Sequence, residues 1–166
     1  MAGCGTSGVQ TGSRQAQQTR APLPAGRQPS TISKMVCAPE AQREIAGALG
    51  VKATVATPTW VAHRYSCRYV YPDGALELSV QELSSWDQTY AYFHSLAAGL
   101  GDTAPLANLG QGAFTTRNGS VVVRKDWKVL LVDISALPSQ FGVPPTSAAD
   151  VAQTVADVIL GCWAGD

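Results

Sequence analysis

Apolar residues first fall into a repeating pattern near residue 36, and from there to residue 162 the spacing alternates between helical and strand periods. Ala38-Pro39-Glu40 opens a helix, because Pro39 suits a first turn, and Ile45, Ala48 and Leu49 supply its apolar stripe up to Gly50. Three short segments rich in β-branched and aromatic residues follow, Lys52 to Trp60, Arg64 to Tyr71 and Ala75 to Glu82, the last two joined by Pro72-Asp73-Gly74. The third alternates Leu76, Leu78 and Val80 with Glu77, Ser79 and Gln81, the pattern of a strand with one buried and one wetter face.

Ser84-Ser85-Trp86-Asp87 reads as a capping box with Asp in place of Glu, and Trp86, Tyr90, Phe93 and Ala97 then recur at helical spacing until Gly99 and Gly101. Three more strands are predicted at Ala113 to Arg117, Ser120 to Lys125 and Trp127 to Ser135, with Asn118-Gly119 as a hairpin turn between the first two. After a loop holding Pro138, Gly142, Pro144 and Pro145, Ser147 and Asp150 open a last helix with Val151, Val155, Val158, Ile159 and Cys162 on its apolar face. The resulting order, α-βββ-α-βββ-α, predicts an α+β fold: an antiparallel sheet of about six strands, helices on one face, and a pseudo-repeat of a helix-plus-three-strand unit. The opposite face, or a groove at the sheet edge, is then open to a partner.

Composition divides the chain. Residues 5–35 hold isolated apolar side chains (Val9, Leu23, Ile32) among Gly, Gln, Ser, Thr and Pro, so they are expected to form a disordered tether, within 1–35, ahead of a single domain at 36–166. The tether carries Arg14, Arg20, Arg27 and Lys34 and no acid, which suits either a solvated spacer or contact with anionic headgroups or wall polymers. From residue 36 onward, eight basic residues face twelve acidic ones, and the net charge of minus four argues against a nucleic-acid partner. No apolar run approaches the roughly 20 residues of a membrane span.

Candidate chemistry is sparse. His63, Ser66 and Cys67 are neighbours on one strand, but Ser66 and Cys67 point to opposite faces and no Gly-x-Ser-x-Gly elbow is present, so no enzyme is expected. Neither His63 nor His94 stands at ligand spacing from two cysteines, which predicts no metal. Gly99-Leu100-Gly101 and Gly110-Gln111-Gly112 lack the strand-to-helix setting of a dinucleotide loop and read as turns, so no cofactor is expected either. Binding features are richer: Trp60, Arg64, Arg68, Tyr69, Arg124 and Trp127 interleave aromatic and basic groups on predicted strands. On one open face they would hold a carbohydrate, an anionic lipid or a wall fragment. The competing reading makes the aromatics core and the basic groups a solvated face.

Met1-Ala2-Gly3-Cys4, followed directly by the tether, resembles a bacterial lipobox, which implies diacylglycerol at Cys4. A lipobox acts behind a charged and an apolar segment. Met1 is therefore expected to lie inside a signal peptide that starts upstream or has been trimmed; the alternative is a chance match in a cytosolic protein. With Cys4 acylated, Cys37, Cys67 and Cys162 remain, and one is left over after a single bridge. Cys37 with Cys67 closes a loop of about 30 residues, for roughly 3 kcal/mol of stabilisation. Cys37 with Cys162 is the rival; otherwise Cys162 reads as a buried free thiol.

Cys37 heading the first helix, Ala48-Leu49-Gly50 at its end, Ser66-Cys67-Arg68-Tyr69, Leu109-Gly110-Gln111-Gly112 and the lipobox with its tether resemble small actinobacterial lipoproteins of a domain-of-unknown-function family. That family is similar to the extracytoplasmic sensor domain of an actinobacterial receptor Ser/Thr kinase. The resemblance covers roughly residues 36–161 and implies a Cys37–Cys67 bridge in a domain anchored at the outer face of the cell membrane. The chain departs from the family pattern in carrying Cys162. The expected function is a lipid-anchored extracytoplasmic binding or sensor-like module with a wall, lipid or peptide ligand. The alternatives are an envelope hydrolase, a lipid-transfer protein or a structural envelope protein.

Overall fold

The computed structural model of the protein describes residues 21–163. In chain order its elements are α1 (Thr31–Met35), α2 (Pro39–Leu49), β1 (Thr54–Val55), β2 (Thr59–Val61), β3 (Arg64–Tyr71), β4 (Gly74–Glu82) and α3 (Trp86–Leu100). There follow β5 (Asp102–Pro105), β6 (Gly112–Thr116), β7 (Val121–Lys125), β8 (Lys128–Ala136), β9 (Gln140–Phe141), β10 (Thr146–Ser147) and α4 (Ala148–Cys162). Eight strands form one antiparallel sheet in the order β1-β3-β4-β8-β7-β6-β5, with β2 also paired to β3, while β9 and β10 pair separately. The α+β architecture is the expected one. The sheet exceeds six strands for two reasons: Pro58 lies in a break that splits the first predicted strand into β1 and β2, and β5 forms in a segment read as loop.

One face of the sheet carries the main core. Cys67, Tyr69 and Tyr71 of β3, Leu76, Leu78 and Val80 of β4, Val121 and Val123 of β7, and Leu130 and Val132 of β8 pack with Ile45 of α2 and Val155 and Ile159 of α4. Within α2 the buried stripe is Ala41, Ile45 and Leu49, and Ala48, expected on it, is exposed. Gly50 ends the helix at φ +67°, and a Cβ there would meet the Val143 carbonyl oxygen, so the left-handed conformation and the close approach both require glycine.

Helix α3 corrects the expectation that all helices share a face. Phe93, Leu96 and Ala97 pack on Phe114, Val122 and Val129, the side of the sheet opposite α2 and α4. The cause is in the strands: β7 reads Val121-Val122-Val123 and β8 Val129-Leu130-Leu131-Val132, apolar at every position, so both faces need cover, whereas β4 alternates. Although β4 and β8 meet at the sheet centre, a two-fold relating antiparallel neighbours would keep α2 and α3 on one face. The helices do not follow the predicted repeat.

Residues 25–35, expected to belong to a tether, are fixed to the sheet instead. Ala25 N–H donates to the Leu83 carbonyl at 3.0 Å, and Trp60 Nε1 donates to the Arg27 carbonyl at 3.0 Å. Glu82, buried, accepts from Ser30 N–H at 2.7 Å and from Ser33 Oγ at 2.5 Å. Polar contacts, together with Ile32 and Met35 packed against the core, hold this segment, and composition does not count the polar contacts. Immediately after α1, Cys37 bridges to Cys67 across a separation of 30 residues with a Cα–Cα distance of 5.6 Å. Cys162 is disulfide-bonded as well, so the expected leftover thiol is absent among the described residues.

Candidate functional site

The six residues proposed from sequence do not share one face. Tyr69 belongs to the core: its hydroxyl donates to the Val36 carbonyl at 2.6 Å, and burial, followed by the neighbouring Tyr71 and Tyr65, raises its pKa well above the usual tyrosine value. Trp60 clasps residue 27, as described above. Arg64 is exposed and reaches the Tyr92 hydroxyl at 2.9 Å, and Arg68 pairs with Glu77 at 3.6 Å in solvent. For β3, then, aromatics are core and basic groups are a solvated face. Arg124 and Trp127 behave differently.

Helix α3 begins with a Ser85 cap that accepts from Gln88 N–H, while the Gln88 side chain accepts from Ser84 N–H, so the capping box lies one residue later than predicted. The helix packs through Phe93, with its ring edge-on to Phe114 at 5.0 Å, but its first turns are not covered in the same way. Trp86 is 37% exposed and Tyr90 44%. Arg124, on the α3 side of β7, lies beneath this part of the helix and is only 9% exposed. Its Cζ sits 4.3 Å from the Tyr90 ring centroid and 5.7 Å from that of Phe93. One terminal nitrogen donates to the Gln111 backbone carbonyl, and Nε is buried without a hydrogen-bond partner among the described residues. Among the described residues no carboxylate lies within ion-pair distance of Arg124.

Trp127 is placed by strained backbone. Asp126 and Trp127 form the two-residue turn between Lys125 and Lys128 with φ of 49° and 56°, a conformation that favours Asn-Gly or Asp-Gly. A bulky side chain there is costly, which points to the side chain itself as the reason for its presence. Its ring stands edge-on to Trp86 at 6.4 Å, and its Nε1 is buried without a hydrogen-bond partner among the described residues. Gln111 is locked to the same turn: its amide donates to Asp126 Oδ1 at 3.2 Å, and its carbonyl accepts from Asp126 N–H at 3.1 Å.

Trp86, Tyr90, Gln111 and Arg124 thus line a shallow, open depression of about 490 Å³. Two aromatic faces, a positive charge, an amide and a nearby carboxylate meet there. Periodicity places Trp86 and Tyr90 on one helical stripe with Phe93 and Ala97, and Gly110-Gln111-Gly112 reads as a turn, so neither points to a site; the missed signal is Asp-Trp in a two-residue hairpin turn. His63, Ser66 and Cys67 assemble no nucleophile: His63 Nδ1 lies 3.0 Å from the Gly26 carbonyl oxygen, and Cys67 is in its bridge. Among the described residues no group of three or more His, Cys, Asp and Glu is placed to hold a metal ion, and no helix is long and apolar enough to cross a membrane. Cys4, the expected lipid attachment, lies outside the described residues.

Comparison with protein-family models, curated proteins and solved structures finds no match.

Proposed function

We propose that the protein is a lipid-anchored, extracytoplasmic binding module of the bacterial envelope and that the shelf formed by Trp86, Tyr90, Gln111, Arg124 and Trp127 takes an acid-bearing glycan. The observation that carries this reading is Arg124, a buried cation with no carboxylate partner among the described residues, beside the exposed aromatic side chains of Trp86 and Tyr90. A buried charge normally finds an ion pair, and a guanidinium edge that lines a depression is well matched to a ligand carboxylate. Aromatic faces stack on the apolar faces of sugar rings, and a wide shallow depression suits a chain laid across it better than an enclosed small molecule. The lipobox, the tether and the resemblance to envelope lipoproteins support the same location.

Two experiments test the two halves. Purified protein should co-sediment with isolated wall polymer, and Trp86→Ala with Tyr90→Ala should release it; equal sedimentation of the double variant contradicts the shelf. One sulfur holds a diacylglycerol thioether or a disulfide, not both, and with Cys37 paired to Cys67 and Cys162 disulfide-bonded, acylation of Cys4 competes with the Cys162 bridge for the last of the chain's four cysteines. Mass spectrometry of the native N-terminal peptide decides between them: diacylglycerol on Cys4 supports the anchor, and Cys4 recovered in a disulfide contradicts it.

A further inference from the structure

A cleft of about 320 Å³ runs along the other side of the molecule, between α2 and the β1–β3 edge. Ile45, Val51 and Val55 form apolar walls, and Tyr69 and Tyr71 contribute aromatic surface. Its volume lies at the lower end of the range of small-molecule sites. The two tyrosines differ in one respect. The Tyr69 hydroxyl donates to the Val36 carbonyl, whereas the Tyr71 hydroxyl, in a residue 5% exposed, is buried without a hydrogen-bond partner among the described residues. Such an orphan costs about 1–3 kcal/mol, so it calls for an acceptor oxygen that the protein does not supply. Arg43 and Lys52 also line the cleft, both exposed and neither in ion-pair contact with a carboxylate among the described residues.

We propose that this cleft is a second binding site, for a small amphipathic carboxylate. The apolar body lies against Ile45, Val51 and Val55, the charge is met by Arg43 and Lys52, and an oxygen of the ligand accepts from Tyr71 once its ring turns the buried hydroxyl toward the cleft. Burial pushes Tyr71 up to about 12, so its hydroxyl stays a donor across the neutral range. The site is separate from the aromatic shelf, which is built on α3 and the opposite face of the sheet, and it stands whether or not that shelf binds a glycan.

The test uses the full chain, octanoate and octanol as probes, and methyl NMR shifts at Ala46, Val51 and Val55. Saturable one-to-one binding of octanoate with shifts at these methyls is expected. Arg43→Gln with Lys52→Gln, both surface changes, should weaken octanoate by roughly three- to tenfold and leave octanol unchanged. Tyr71→Phe should weaken both probes by a similar factor without lowering the melting temperature. Ala46→Phe should fill the cleft and abolish both. Shifts that are not saturable, that appear at the Trp86 indole instead, or that ignore the Arg43 and Lys52 changes overturn the proposal.

Discussion

Burying Arg124 without a carboxylate among the described residues is unfavourable for the isolated fold, because there the guanidinium's desolvation is met by two aromatic rings and one carbonyl. Arg124→Met is therefore expected to leave stability within about 1 kcal/mol of the parent or to raise it, while removing wall-fragment binding. A loss of about 3–5 kcal/mol in chemical denaturation would mean that the residue serves the fold. Trp127 makes a parallel case. Truncating a fully buried tryptophan costs about 3–5 kcal/mol; Trp127 is half-buried, and glycine at its φ of 56° relieves backbone strain of about 1–3 kcal/mol. Trp127→Gly should accordingly cost well under the usual amount in a denaturation midpoint and still weaken binding.

At the scale of elements, legibility followed periodicity. The bounds of β3, β4, α2, α3 and α4 were readable to within two residues because each carries a long apolar pattern or a cap, as with Pro39 in the first turn of α2 and Ser147 before α4. Helix α1, β5 and the β9–β10 ladder were not, since two to five residues carry no period and α1 is held by Ser30 and Ser33 on Glu82. The opposite placement of α3 was written in the valine run of β7 but went unread. The Cys37–Cys67 bridge ties the start of α2 to the core strand β3. Replacing both cysteines with alanine should lower stability by about 3–4 kcal/mol for a loop of this length, measured by denaturant unfolding. Tyr69→Phe, which leaves the Val36 carbonyl unmet in the same corner, should cost about 1 kcal/mol or more.

For the whole molecule, the sheet presents two surfaces with different uses: α2 and α4 close one face except at the Tyr71 cleft, and α3 covers only part of the other. Of the shelf, Arg124 was legible as a basic residue on a strand, and Trp127 as an aromatic residue although the expected strand position is a turn; Trp86 and Tyr90 were not, because helical spacing is the same over a sheet and beyond its cover. Burial of Tyr71 also gives the fold an alkaline limit. Its pKa is raised from 10 to about 12 in the folded protein, so its contribution is intact below pH 10 and is lost as pH rises from 10 through 12, where the unfolded chain ionises first. Tyr71→Phe should flatten that limb of a stability-against-pH curve.

The central claim, that the α3 shelf binds an acid-bearing glycan through Arg124, is tested most directly by following the four tryptophan indole N–H signals of the full chain during titration with N-acetylglucosaminyl-N-acetylmuramic acid. Saturable shifts at Trp86 and Trp127, about tenfold weaker with the neutral disaccharide of N-acetylglucosamine and absent in Arg124→Met, are predicted, tenfold corresponding to about 1.4 kcal/mol for the charge-assisted contact. Unmoved indoles, or equal shifts with both sugars in parent and variant, contradict it.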